Sequence, residues 1–217
     1  MTKRRPERPQ RHARSTAELR RSAPSKAARA LILIVCEGEQ TEYRYFDAIR
    51  REGNLVTVSV ELEPDARQAL KLVQHACKLR HLRRRQSEAL PYDEIWCVFD
   101  REAGNEPASF EQAVALAERE GLRLVISNPA FEYWYLLHFR ETNRPYYDAG
   151  GLLDDLRRHL PLYEKKYEQY TQLRERTRDA IERAERLYDG HPDREHDRYP
   201  NPSTLVQRLV RRLLMTE

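Results

Sequence analysis

The fold is decided by residues 30–38, which read Ala-Leu-Ile-Leu-Ile-Val-Cys-Glu-Gly. A continuous apolar run of this length is typical of a strand that is covered on both faces, as in a parallel sheet. The Glu-Gly pair ends the run. Thr41 can then cap a helix, because Tyr45, Phe46 and Ile49 recur at helical spacing up to Gly53. The segment therefore predicts a strand, a tight turn and a helix.

The same alternation continues along the chain. Strands are predicted at 56–62, where apolar and polar residues alternate, and at the short apolar runs 95–99 and 122–126. Helices are predicted at 66–85 and 109–121. Four strands alternating with three helices favour an α/β fold with a mostly parallel four-stranded sheet flanked by helices. Ligands of such sheets bind beyond the carboxyl ends of the strands.

The remainder of the chain is predicted to be helical. Helices are expected at 129–139, 151–160, 163–188 and 203–214, with a polar loop at 189–202. Apolar residues on the long third helix fall mostly three or four apart, and such a stripe needs a surface to bury against. We therefore expect residues 152–217 to form a helical extension packed on an α/β core at 31–151 or on a second subunit.

Charge is distributed unevenly. Residues 1–30 contain ten Lys/Arg and two Glu, a net charge of +8, whereas residues 31–217 contain 29 basic and 33 acidic residues, a net charge of −4. An Arg-rich segment with few apolar residues is expected to be a disordered arm that favours a polyanion. The alternative is a solubilising leader with no specific partner.

Several classes of protein are disfavoured by the composition. No apolar run approaches the roughly 18 residues of a membrane span, and the N-terminus lacks the apolar stretch of a secretory signal. Cys36, Cys77 and Cys97 are odd in number and lie among apolar neighbours, as reduced thiols do. We expect a cytoplasmic protein without disulfides.

Acidic residues follow two of the predicted buried strands. Glu37 follows the first, and Asp100 and Glu102 follow the third, one residue apart, so they can point the same way. Clustered carboxylates repel one another unless a cation neutralises them, and Mg²⁺ prefers oxygen ligands. The arrangement predicts a divalent-metal site. Taken singly, Glu37 could instead favour a helix N-terminus, and Asp100 could be an ordinary turn residue.

Other candidate residues lie close by in the sequence. Glu132 falls near the first turn of a helix that Asn128 could cap, so it could complete the metal site, hold an Arg, or only complement the helix dipole. Arg101 could bind phosphate or pair with an acid. His138 on an apolar helix is more typical of a structural group than of an acid or base. The aromatic and apolar residues beside it favour core positions over base stacking (Trp134, Tyr135, Leu137, Phe139).

A set of short motifs in a fixed order resembles the RloB-like family of bacterial antiphage-defence and restriction-associated proteins. They are Val35-Cys36-Glu37-Gly38-Glu39-Gln40-Thr41-Glu42, Val98-Phe99-Asp100-Arg101-Glu102, Ser127-Asn128-Pro129-Ala130-Phe131-Glu132-Tyr133-Trp134, His138-Phe139 and Asn201-Pro202-Ser203-Thr204. Each motif is short, and their order and spacing from residue 31 to about 210 make the resemblance specific.

The resemblance implies a Toprim-like fold, in which a Glu after the first strand and a later Asp-x-Asp support magnesium-dependent cleavage of phosphodiesters. It assigns catalytic and metal-binding roles to Glu37 and Asp100. Glu102 stands where the second Asp is usual, which keeps the charge on a longer side chain.

The working hypothesis is a nuclease dependent on Mg²⁺ or Mn²⁺ that acts either on RNA, of which tRNA is one candidate, or on DNA. Arg101, Lys165 and Lys166 are the candidates for stabilising negative charge on the nucleic acid. The rival hypothesis is a non-catalytic subunit that binds nucleic acid or a partner ATPase. A second copy of the chain is a further expected partner, and a membrane is not.

Overall fold

The computed structural model describes residues 30–37, 40–62, 68–101 and 107–214. The four predicted strands are present, with slightly different ends: β1 Ile32–Cys36, β2 Val58–Leu62, β3 Glu94–Asp100 and β4 Arg123–Asn128. Helices α1 Thr41–Glu52, α2 Ala69–Arg84 and α3 Pro107–Glu120 lie between them in the chain. The α/β class and the mostly parallel sheet flanked by helices are therefore confirmed.

The sheet has the strand order β2-β1-β3-β4-β5. The first four strands are parallel, and β5 Ser203–Thr204 pairs antiparallel with the end of β4. This fifth strand was not predicted, because two polar residues carry no periodic signal. It adds the C-terminal part of the chain to the sheet of the core.

The side chains of β1 alternate between two apolar layers. Ile32, Ile34 and Cys36 face one layer together with α1 and the C-terminal helices, whereas Leu33 and Val35 face the layer built by α2 and α3. All five are buried. Burial on both faces explains why the strand reads as a continuous apolar run rather than as an alternating one.

The C-terminal part is a series of short helices: α4 Glu132–Leu137, α5 Ala149–Arg157, α6 Tyr170–Leu173, a 3-10 turn Arg174–Arg176, α7 Thr177–Asp189 and α8 Val206–Leu214. Their apolar side chains share the layer that covers β1. The buried ones include Leu152, Leu156, Tyr170, Leu173, Ile181, Ala184, Val206, Leu209 and Leu213, together with Tyr163 from the segment between α5 and α6. The extension therefore packs on the sheet.

Two helix predictions were wrong in detail. The expected helix 163–188 is interrupted, because residues 158–169 form no helix and only α7 is long. Tyr163 is nevertheless buried, whereas Tyr167 is 54% exposed, so a spacing of three or four need not mean one continuous helix. The expected helix 129–139 begins only at Glu132, since Asn128 ends β4 and its Nδ2 donates to the Tyr199 carbonyl at 2.7 Å instead of capping a helix.

Some predictions fall outside the described residues. The basic arm at 1–30 does so except for its last residue, and so does Glu102. None of the helices in the described part of the chain combines the length and the apolar character that crossing a membrane requires. The three cysteines are free thiols.

Candidate functional site: a carboxylate cluster at the carboxyl edge of the sheet

Glu37 and Asp100 meet at the carboxyl ends of the adjacent strands β1 and β3. The Glu37 backbone N–H donates to the Val98 carbonyl at 3.0 Å, which continues the β1–β3 ladder by one residue. The backbone N–H of Asp100 donates in turn to Glu37 Oε2 at 3.1 Å. Because the parallel register fixes both residues, the side chains of two distant motifs are held at one point.

Two further carboxylates lie close to this pair. Glu42 is in the first turn of α1 and Glu132 is the first residue of α4, and both are buried. The pKa of Asp100 is raised well above its ordinary value by burial first, and then by the charges of Glu42, Glu132 and Glu37. The Phe131 backbone N–H donates to the Asp100 carboxylate and opposes this rise. The structure thus concentrates four acids where an α/β sheet binds ligands.

Glu42 titrates near neutrality in this environment. Burial is the main reason that its pKa is raised from 4.5 to about 7, and the charges of Glu132 and Glu37 add to the effect, while Lys165 lowers it. A carboxyl with a pKa near 7 can either donate or accept a proton at physiological pH. Sequence reasoning missed Glu42, although it lies within the motif that carries the family resemblance.

Glu132 is held by two groups from the irregular segment before α6. Tyr163 donates its hydroxyl proton to Glu132 Oε1 at 2.9 Å, and Lys165 Nζ lies 3.2 Å from the same oxygen. The Lys165 side chain is 49% exposed, whereas that of Glu132 is 1% exposed. The ammonium group therefore lies between the acidic cluster and solvent and offsets part of its negative charge. Tyr163 was expected only as a core residue.

The donor chemistry of the cluster fits a hard divalent cation. All candidate ligands are carboxylate oxygens, and a cation would favour the ionised forms that burial and mutual repulsion now disfavour. Within residues 30–37, 40–62, 68–101 and 107–214, however, no three His, Cys, Asp or Glu side chains are grouped as a ready coordination set. Cation binding would thus require side-chain rearrangement or a ligand outside the described residues.

The other predicted cations are engaged elsewhere. One guanidinium nitrogen of Arg101 lies 2.6 and 2.7 Å from the two carboxylate oxygens of Asp197 and donates to the Tyr199 carbonyl at 2.7 Å. These contacts attach the loop before β5 to the end of β3. Lys166 pairs with Glu164 at 2.7 Å. Of the three predicted cations, Lys165 is the one whose ion pair reaches the acidic cluster.

The structural interpretation of the aromatic segment is confirmed. Trp134, Tyr135 and Leu137 are buried in the core, and Phe139 packs against it. His138 is buried, and burial lowers its pKa from 6.5 to about 4. Its Nδ1 lies 2.9 Å from the Trp134 carbonyl oxygen. The lowered pKa keeps the ring neutral at physiological pH, as expected of a structural group.

Comparison with known proteins agrees with the motif resemblance. The family model described as RloB-like protein matches residues 32–213, which covers the whole sheet, the acidic cluster and the C-terminal helices. No curated protein and no solved structure matches the chain. The resemblance inferred from the short motifs is therefore confirmed at the level of the family.

Proposed function

Because the chain belongs to the RloB-like family, we propose that it is a metal-dependent nuclease with a Toprim-like core that acts in bacterial antiphage defence. One observation carries the proposal. Asp100 ends a central strand near Glu37, Glu42 and Glu132, and its pKa is raised first by burial and then by the charges of these three acids. Such a concentration of buried acid is costly to the fold, and a divalent cation is the ligand that would relieve it.

Glu37 and Asp100 are the proposed ligands of Mg²⁺ or Mn²⁺, with Glu132 and Glu102 as further candidates. When bound, the cation would polarise a phosphodiester oxygen and lower the pKa of a water nucleophile. Glu37 is suited to a ligand role because it is half-buried and already meets Asp100 across the strand ends.

Glu42 is proposed to move the proton. Its pKa of about 7 lets the carboxyl take a proton from water in one step and return it to a leaving oxygen in another.

The ammonium group of Lys165 is proposed to move from Glu132 to the phosphate of the substrate. In the described arrangement its ammonium group pairs with Glu132, and it could instead stabilise the additional negative charge that develops on phosphate.

The second candidate function is a non-catalytic subunit that binds nucleic acid or a partner ATPase. The observation that favours it is that no three acidic or other potential metal-binding side chains form a ready coordination group in the part of the chain that the structure describes. In that case the cluster would hold no cation, and this edge of the sheet would serve recognition alone.

Incubating the purified full-length chain with labelled RNA and DNA, with Mg²⁺, Mn²⁺ or EDTA, distinguishes the two functions. A nuclease should give metal-dependent products that disappear in Asp100→Asn and in Glu37→Gln. The matched control is Asp197→Asn, which changes an acid that contacts Arg101 outside the cluster. Failure of the wild type to cleave any substrate, or undiminished cleavage by the folded Asp100→Asn variant, would contradict the proposal.

A further inference from the structure

Helix α2 carries charge of one sign only. Residues 68–87 contain six Lys/Arg and two His and no Asp or Glu. Helices α1, α3 and α7 each combine acids with bases. Since residues 31–217 have a net charge of −4, the concentration of positive charge on α2 is local.

Three of the cations in this segment are exposed to solvent, and no acid in the described part of the chain forms an ion pair with them. Ala69, Leu72, Val73 and Ala76 bury one face of α2, whereas Lys78, Arg84 and Arg85 are exposed. Among the described residues, no carboxylate forms an ion pair with the members of what we call the α2 basic surface, Lys78, Arg84 and Arg85.

The C-terminal helix α8 shows the contrast. It is also basic, but Arg211 pairs with Glu185 at 2.7 Å, Arg212 pairs with Glu94 at 2.8 Å, and Arg208 lies over the ring of Tyr188. Its charges are thus engaged within the fold. The α2 basic surface, in contrast, presents its charge to solvent.

Contacts made by two neighbouring arginines fix the position of α2 beneath this surface. Arg83 donates through Nε to the Leu90 carbonyl at 2.7 Å, and its guanidinium lies 4.5 Å from the ring centre of Tyr92. Arg80 donates to the Glu120 carbonyl at 2.7 Å, which ties α2 to the end of α3. These two arginines fix the end of α2, while Lys78, Arg84 and Arg85 remain exposed.

The helix dipole does not account for the whole pattern. Cations are favoured in the last turn of a helix, and that effect applies to Arg84. It decays within one turn, whereas Lys78 lies six residues before the end of α2. A solvated helix face also usually carries both signs of charge. We propose that the α2 basic surface binds the phosphate backbone of a nucleic acid.

This surface lies at the edge of the sheet opposite the carboxylate cluster. The contacts of Arg83 place the end of α2 beside Leu90 and Tyr92, just before β3 begins, and Asp100 ends β3. A seven-residue strand spans roughly 20 Å at about 3.3 Å per residue. If the proposed nuclease function holds, a duplex that reaches both points would extend over roughly six phosphates of one strand, at about 3.4 Å of helix axis each.

The test is nucleic-acid binding by the full-length chain in EDTA, which keeps cleavage out of the measurement. Fluorescence anisotropy with single-stranded RNA and with duplex DNA, each about 20 nucleotides or base pairs long, should show at least about tenfold weaker binding for the Lys78→Gln/Arg84→Gln/Arg85→Gln variant near physiological salt. The plot of log affinity against log salt should be shallower by about two to three units, because each phosphate contact contributes about 0.7–0.9.

The matched control removes three exposed positive charges elsewhere. Arg174, Arg178 and Arg211 pair with Glu52, Glu182 and Glu185, so the triple Gln variant has the same net charge as the test variant. It should bind almost as the wild type does. Equal losses in both variants would mean that only total charge matters, and wild-type binding by the test variant would mean that the surface does not hold nucleic acid. Either result overturns the inference, whether or not the protein cleaves.

Discussion

Removing the charge of Glu42 should stabilise the protein at alkaline pH. Its carboxyl is buried in the first turn of α1, and its pKa of about 7 reflects burial first and then the charges of Glu132 and Glu37. The ordinary value is 4.5. Between these two pH values the folded chain retains a proton that the unfolded chain has released.

The sign and size of the effect follow from this difference. Stability contributed by protonated Glu42 is fully present below the unfolded pKa and is lost as pH rises through the folded pKa. Each unit is worth about 1.4 kcal/mol, so the full loss approaches about 3 kcal/mol above pH 8. Part of this cost comes from repulsion between Glu42 and Asp100, whose protons are coupled. Substituting Glu42 alone should therefore recover about 2–3 kcal/mol of the lost stability.

The substitution Glu42→Gln keeps the shape of the side chain and removes its charge. Denaturant unfolding in EDTA should find this variant more stable than the wild type by about 2–3 kcal/mol at pH 8, and by less than about 1 kcal/mol at pH 5. The control Glu111→Gln changes an exposed carboxylate of α3 and should stay within about 0.5 kcal/mol at both pH values. A Glu42→Gln variant no more stable than the wild type at pH 8 would refute the idea that this carboxyl is ionised there at a cost to the fold.

Two other predictions concern the C-terminal part. Lys165→Met removes the ammonium group from the buried Glu132 carboxylate. The free energy of unfolding at pH 8 should fall by about 1–2 kcal/mol, a value that the exposure of the lysine keeps small. If denaturant unfolding shows no loss of stability, the ion pair is not formed in solution. A fragment of residues 30–151 lacks β5 and the buried side chains of α6–α8. It should therefore elute as an aggregate in size-exclusion chromatography. A soluble monomer that unfolds cooperatively would instead show that the α/β part folds alone.

The sheet was predictable because each central strand is short, apolar and buried on both faces. The run ending at Cys36 and the run at 95–99 need no distant information to read as strands. The fifth strand was not predictable, since Ser203 and Thr204 pair only because the fold brings them to the end of β4. Local pattern does not encode such a contact.

The interrupted helix shows the limit of periodicity. Tyr163, Tyr170 and Leu173 follow helical spacing and are all buried, as expected of an apolar stripe. The chain between the first two is nevertheless irregular, and Tyr163 is anchored through its hydroxyl to Glu132. Spacing predicted most of the residues that face the core, but it predicted neither the exposure of Tyr167 nor the irregular backbone between Tyr163 and Tyr170.

The candidate site was recovered in part. Glu37 and Asp100 were predicted to meet because both follow parallel strands, and they do. Glu42 was missed because an acid in the first turn of a helix is adequately explained by the helix dipole. Only its burial beside other acids distinguishes it, and that is a tertiary property.

Binding of Mn²⁺ to the folded chain is the most direct test of whether the carboxylate cluster is a divalent-cation site. Electron paramagnetic resonance separates free from bound Mn²⁺ without any substrate, and about one ion should bind per chain at millimolar metal. Asp100→Asn should abolish this binding, whereas Asp197→Asn, outside the cluster, should retain it. Wild-type protein that leaves all Mn²⁺ free, or an Asp100→Asn variant that binds it as well as the wild type does, would contradict the assignment of the carboxylate cluster as a divalent-cation site.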